Sequence, residues 1–465
     1  MLRQAKSDHN QQGRGTREFF RILLLSAIIV LLPFTVIQVG AGGPANAVDP
    51  GVRRGPLGAG QPIAGLTRQE QTVWNNVNAT FKQVNSVTGT GVIGLGPRFN
   101  SNSCVSCHSQ PAPGGASPPS NPLFSVYQLN GAQNTMPFFE NQSGAALDAR
   151  FPFLSDLQTP DNGVHQLFTV TGRTDAGNCN ISQPTFQPNN LAARNPLPIF
   201  GDGLVEFILD SDIVNNAATI CKTSTLGICG TPSHSDNDGT INRLGWKAQD
   251  RSLQIAAGLS YNVELGVTNE LFPNEVDETP GCNPNPLPES STNFTSGIQP
   301  YLFSGDPERF AIFMRFLAPP TPGACPGGDG SSCTNGQAQF SAIGCAQCHK
   351  ASFRTPTNTV KALTNRVANL FSDLVLHHMG SCLADNIVLG AAQGDMFRTP
   401  PLWGVGKRVY FLHDGRTTDI VQAVENHSCA ANGQYQASEA NKVIDNFNAL
   451  SSKDQQDLIN FLRSL

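Results

Sequence analysis

Two pentapeptides constrain this 465-residue chain more than any other feature: Cys104-Val-Ser-Cys107-His108 and Cys345-Ala-Gln-Cys348-His349. Each sets two thiols one turn apart and follows them with an imidazole. That arrangement can trap both vinyl groups of a haem as thioethers and hand its iron a proximal ligand. A single motif of this kind could also be half of a zinc site or a redox dithiol. Two of them, each preceded by an amphipathic helix in a chain with export signals, point to two covalently bound c-type haems with His108 and His349 on the irons.

Arg3, Lys6, Arg14, Arg17 and Arg21 precede an uncharged stretch from Ile22 to Val39, and Ala45-Asn46-Ala47 follows. This order reads as a signal peptide over residues 1–47, cleaved after Ala47, and places the mature chain in the periplasm or otherwise outside the cytoplasm. Left uncleaved, the same stretch would be a membrane anchor at the lower edge of the spanning length. Beyond the motif cysteines there are Cys179, Cys221, Cys229, Cys282, Cys325, Cys333, Cys382 and Cys429, an even number suited to disulfides in an oxidising compartment. The short loops Cys221–Cys229 and Cys325–Cys333 are the simplest pairs. A net charge of -5, with no basic cluster after Arg21, excludes nucleic acid as a partner.

Periodicity places helices at both ends of two units. Thr67 and Glu70 form a capping box ahead of Val73, Trp74, Val77, Phe81 and Val84 at helical spacing. From Asp306, the stripe Phe310, Phe313, Met314 and Leu317 runs to Pro319-Pro320, which ends it. A second unit opens with Gly336 to Ile343 and closes with Leu458, Ile459, Phe461, Leu462 and Leu465. The expected fold is mainly α, with two cytochrome c-like domains in tandem. Residues 48–320 form the first, carrying a long irregular insertion, and 321–465 the second, with Pro319 to Gly330 as the linker.

What fills the sixth position of each iron decides between electron transfer and catalysis. The candidates are His165, His234, His377, His378, His413 and His427, with Met136, Met314, Met379 and Met396. Met314 reads as core and His234, in Ser-His-Ser-Asp-Asn-Asp, as a solvated loop residue.

Several segments together carry a resemblance. They are Gly203-Leu-Val-Glu206, Gly245-Trp-Lys-Ala-Gln249, Gly266-Val-Thr-Asn269, Phe371 to Gly380, Leu383-Ala-Asp385, Phe397-Arg-Thr-Pro-Pro-Leu-Trp-Gly404 and Phe411-Leu-His-Asp-Gly-Arg416. The chain resembles the di-haem oxidoreductases, labelled thiol oxidoreductases or peroxidases, and more distantly the bacterial di-haem cytochrome c peroxidases and the di-haem enzyme that matures methylamine dehydrogenase. The resemblance implies that His427, in Ala423-Val-Glu-Asn-His427, is the distal ligand of the C-terminal haem, unless it is a surface histidine after a helix. It implies that Trp246 relays electrons between the haems and that Glu264, in Glu264-Leu265-Gly266, is the acid-base group over the N-terminal haem. The peroxidases have Met where Leu265 stands. Trp246 as plain core, Glu264 as a surface residue and Glu206 as a rival acid remain open.

The implied activity is peroxidase-like. A small redox donor protein, a cytochrome or cupredoxin, would reduce the C-terminal haem, and peroxide or another small oxidant would meet the N-terminal one. Two other functions fit the residues: a non-enzymatic di-haem electron carrier, and an oxidase of a thiol or protein side chain.

Overall fold

The computed structural model describes residues 46–56, 58–86, 94–173, 178–274, 276, 279 and 305–465. Residues 46 onward belong to one compact unit. The expected signal peptide and Cys282 lie outside the described residues, apart from Asn46 and Ala47.

Helix α1 (Arg68–Phe81) begins where the capping box placed it: Thr67 Oγ1 accepts from Glu70 N, and Thr67 N donates to Glu70 Oε2 at 2.7 Å. It ends at Phe81, so Val84 falls outside the stripe and is 66% exposed. Helix α2 (Leu253–Leu265) packs on helix α3 (Asp306–Phe316), which in turn packs on α1. Phe313 of α3 stacks on Trp74 at 5.2 Å and on Phe81 at 4.0 Å, the offset aromatic contacts that dominate this first core.

Helix α4 (Gly330–Ala342) starts six residues before the expected Gly336, because Asp329 caps it by accepting from Ser331 N. The expected linker therefore stops where α4 starts. Further on come the short helix α5 (Ile420–Glu425) and the C-terminal helix α6 (Ser452–Ser464). Helices α4 and α6 cross at Gly336, where an added Cβ would stand 1.9 Å from the Asp457 carbonyl oxygen, so only glycine permits this closeness. Phe340 and Phe461 then meet at 5.6 Å in a second apolar core with Phe371 and Leu462.

Strands are short and scattered, as expected. The antiparallel set β1 (Asp148–Arg150), β2 (Val164–His165) and β3 (Ala192–Arg194) has β1 in its centre. A second pair joins β4 (Leu376–His378) to β5 (Met396–Arg398). The two cores are not strictly consecutive in sequence: Phe353, Leu363, Leu370, Leu374 and Trp403 contribute to the first, and Ile228 to the second.

Both expected short disulfides are present, Cys221–Cys229 and Cys325–Cys333, together with Cys382–Cys429. Cys179 is also disulfide-bonded. The free cysteines among the described residues are the four of the two motifs. No described helix is long and apolar enough to cross a membrane.

Candidate functional site: two cavities sharing one tryptophan

Each motif forms a wall of its own cavity. Cys104–Cys107 is a single helical turn, and His108 N donates to Cys104 O at 3.0 Å. Cys345–Gln347 is a 3-10 turn with Gly344 in the left-handed region before it. The first cavity measures about 270 Å³, and the second about 190 Å³. Both far exceed the roughly 10–15 Å³ that one water needs, so they are spaces for a large group.

The motif histidines are held alike. Nδ1 of His108 donates to Gly115 O at 3.0 Å, and Nδ1 of His349 donates to Phe371 O at 3.1 Å. This leaves Nε2 with its lone pair, the tautomer that a metal ligand needs. Burial, foremost, holds both imidazoles below their ordinary pKa, His349 at about 3, so both stay neutral.

His427, two residues past the end of α5, faces His349 across the second cavity with ring centroids 6.5 Å apart. Its Nδ1 donates to Ala423 O at 2.8 Å, so its Nε2 is also free. Two metal–imidazole bonds of about 2 Å each, plus the radii of two rings, span roughly such a gap. His427 is therefore a cavity residue and not a surface one.

The other candidates fall elsewhere. Asp373 and Glu439 each bond a different nitrogen of His377 at 2.8 Å, so neither nitrogen is free. His378 pairs with Asp395. His413 lines the second cavity but stacks on Phe397 at 4.3 Å. His165 pairs with Asp161 and stacks on Phe151, and exposed His234 bonds Gly239 O. Met379 lines the second cavity. Met314 is core, as its stripe implied, and also reaches the first cavity.

Glu264 lines the first cavity beside Cys104, Cys107 and His108. Its placement is local in origin: α2 ends at Gly266, whose φ of 70° is left-handed and whose added Cβ would stand 2.1 Å from Arg98 O. That tight stop lets Asn100 N and Ser101 N donate to Glu264 O at 2.7 and 3.0 Å, while Asn100 Nδ2 donates to Oε2 at 2.8 Å. Burial, and then repulsion from the Asp148 carboxylate, raises the Glu264 carboxyl to about 7. The rival Glu206 does not reach the cavity. It pairs with Arg315 at 2.7 Å and accepts from Leu253 N at 3.0 Å, anchoring the start of α2.

Trp246 belongs to the walls of both cavities, as does Arg398. The Trp246 indole N–H donates to Asn195 O at 2.8 Å, and its ring meets His413 edge-on at 6.3 Å. The segment after it is locked below: buried Lys247 bonds Asp385 at 2.9 Å and sits 4.1 Å over the Phe397 ring.

Buried arginines test whether these cavities suit haem. In the second, Arg408 donates to Pro401 O, and among the described residues its Nε has no partner and no carboxylate bonds it. Burial, and then the nearby Arg398 guanidinium, lowers it to about 10. Arg398 feels the Asp202 and Asp373 carboxylates, but no described carboxylate acts on Arg408, and a buried guanidinium without a counter-charge is costly inside a protein. A group carrying carboxylates, as haem does in its propionates, answers that charge, so the donor set fits.

Two such cradles in one unit, each with a Cys-x-x-Cys-His wall, define a two-haem redox protein. The chain belongs to the family described as "di-haem oxidoreductase, putative peroxidase", whose model matches residues 163–465, more than half of the sequence and inclusive of the second motif. It is thus an oxidoreductase carrying two haems. Three solved structures are similar at low identity. A MauG-like protein associated with microbial copper homeostasis is 13% identical, with 57% of this chain and 89% of that one covered and a TM-score of 0.28. A hydrazine synthase of Kuenenia stuttgartiensis is 13% identical over 89% of this chain and 96% of that one, at 0.30. A variant of the diheme peroxidase BthA from Burkholderia thailandensis is 14% identical over 65% and 93%, at 0.27. No curated protein matches.

Sequence reasoning missed Asp148 and Arg150 of β1, which line the first cavity with no local motif to mark them. Lys247 and Arg398 lie within the segments that carry the family resemblance, but nothing local marks either side chain as a cavity residue. Arg408, just past the Phe397-to-Gly404 segment, had only its charge in an apolar stretch as a signal.

Proposed function

We propose that this chain is an exported c-type di-haem peroxidase. Its halves, residues 48–320 and 321–465, each hold one haem through thioethers, to Cys104 and Cys107 in the first and to Cys345 and Cys348 in the second. His108 and His349 are the proximal ligands, and His427 completes the second iron. A small cytochrome or cupredoxin supplies electrons to that half, and a peroxide is reduced in the first.

The observation that carries this reading is the asymmetry of the cavities. Across the second, a second imidazole faces His349; in the first, Glu264 stands where a proton must move, and His108 is the only histidine among the described lining residues. When bound, the haems supply electron storage and an iron that binds peroxide. Glu264 accepts the proton of the inner peroxide oxygen and returns it to the outer one, making water the leaving group. A carboxyl near 7 can take and give a proton at neutral pH. Trp246 lies on the wall that the two cavities share and relays electrons, its ring fixed by Asn195 O and His413.

Low-temperature EPR of the ferric protein tests this. One low-spin bis-histidine signal is expected from the second haem, and the first should become high-spin, or exchange its ligand for cyanide, in the ferric or half-reduced state. Two low-spin signals unmoved by cyanide, peroxide or half-reduction would overturn the peroxidase reading.

A further inference from the structure

The first cavity holds more acid than one proton carrier requires. Asp148 of β1 lines it together with Glu264. Asp148 pairs in register with Arg194 of β3, and its Oδ2 lies 3.7 Å from Arg150 Nε. Behind it stands Glu140, 7% exposed, whose Oε2 accepts from Asn121 Nδ2 at 2.5 Å and whose Oε1 accepts from Leu147 N at 3.2 Å. Asp148 repels both Glu140, which lies outside the cavity lining, and Glu264, which lies within it.

Reducing one peroxide to two waters consumes two electrons and two protons. Glu264, by moving the peroxide's own proton from one oxygen to the other, supplies neither of those two protons. They must enter a buried site, and adjacent carboxyls that cannot both ionise cheaply are suited to pass them.

We propose that Asp148 is a second proton-holding carboxyl of the oxidant site, loading Glu264 from the Glu140 side while Arg150 fixes its orientation. This rests on the peroxide reading above. The electrons come from the donor protein through the second haem; each proton enters from solvent, and both leave in water. Burial first, then the neighbouring carboxylates, favours the protonated forms of Glu140, at about 8, and Glu264, at about 7. Asp148 is raised too, by burial against the opposing pull of Arg150 and Arg194. The groups facing them are Asn100, Arg150, Asp148, Cys104 and Cys107 around Glu264, and Arg150, Arg194, Glu140 and Glu264 around Asp148, with Asp202 and Asp250 also on the cavity wall.

The test compares holoenzyme variants that retain two haems. Asp148→Asn is expected to lower kcat for hydrogen peroxide by roughly tenfold or more with little change in KM. Infrared titration of the ferric protein, following the carboxyl stretch assigned by its loss in Glu264→Gln, should show the Glu264 midpoint moving to lower pH, because a repelling charge is gone. Asp148→Glu should restore both. A wild-type kcat in Asp148→Asn overturns the proposal, and so does a lost kcat with an unmoved midpoint, which would mark a merely structural residue. Wild-type turnover in Glu264→Gln overturns the parent reading instead. Should Asp148→Asn fail to keep its haems, kcat of Glu140→Gln carries the test: a several-fold loss is expected, and an unchanged value overturns proton loading by this route.

Discussion

At the scale of single residues, the chemistry turns on groups whose surroundings move them away from their ordinary behaviour. Glu264→Gln keeps the shape and the Asn100 contact but cannot accept a proton, so kcat/KM for peroxide should fall about 10²–10⁴-fold in stopped-flow decay measurements. The pH dependence has a definite sign. In the proposed mechanism Glu264 begins ionised to take the peroxide proton, and burial raises its carboxyl to about 7, so kcat/KM should climb with pH through about 7 and level off above it. Arg408→Leu removes a buried positive charge from the second cavity. Ferric iron should then be favoured, and redox titration should show that haem's potential falling. Of these residues, Glu264 was legible in the sequence through its Glu-Leu-Gly context, whereas Asp148 was not. A strand aspartate three positions past Ala145 looks like any other until β1 is set against the cavity.

At the scale of elements, helix ends position the site. Gly266 stops α2 in a left-handed turn against Arg98, and Asn100 reaches Glu264 only because the turn is that tight. Gly266→Ala should therefore cost stability and also lower peroxidase activity, checked by thermal denaturation and by turnover in the same preparations. The cap of α1 makes a plainer prediction. Thr67→Ala should destabilise the protein by about 0.5–2 kcal/mol in chemical denaturation while leaving both haem spectra unchanged, since α1 meets the cavity wall only at its far end, through Phe81. The capping box and the α3 stripe were readable because both are local. The early start of α4 at Gly330 was obscured by a glycine and two serines, weak helix formers that the Asp329 cap and the packing on α6 override.

At the scale of the whole molecule, Asp49 ties distant pieces together. Its carboxylate accepts from Arg463 Nε at 2.7 Å and Nη2 at 2.5 Å on α6, and from Ile420 N at 3.0 Å at the start of the helix that leads to His427. Arg463 is 1% exposed, so Asp49→Asn leaves a buried guanidinium without its charge partner. A loss of about 3–5 kcal/mol is expected in denaturant titration. Burial opposes the ionised form, but Arg463 and two backbone N–H groups prevail, and the Asp49 pKa lies below its ordinary value. Its stabilising effect is therefore present above the unfolded carboxyl range and lost as pH falls through the lower folded value. Acid should loosen α5, and if His427 ligates the second haem as proposed, that haem's low-spin spectrum should weaken in step.

The sequence alone determined the two Cys-x-x-Cys-His motifs, the short disulfide loops and the capped helices, because each depends on residues a few positions apart. It also held Trp246, Glu264 and His427, but only through likeness to a family, without the contacts that give them meaning. Tertiary structure decided that Trp246 walls both cavities, that His427 faces His349 at 6.5 Å, that Glu206 serves as an anchor, and that Asp148 and Arg408 front the cavities. The physical reason is one of range. Caps, turns and short loops are settled by local hydrogen bonds and sterics, whereas burial, charge repulsion and ring-to-ring distance depend on which distant segments the packed cores bring together.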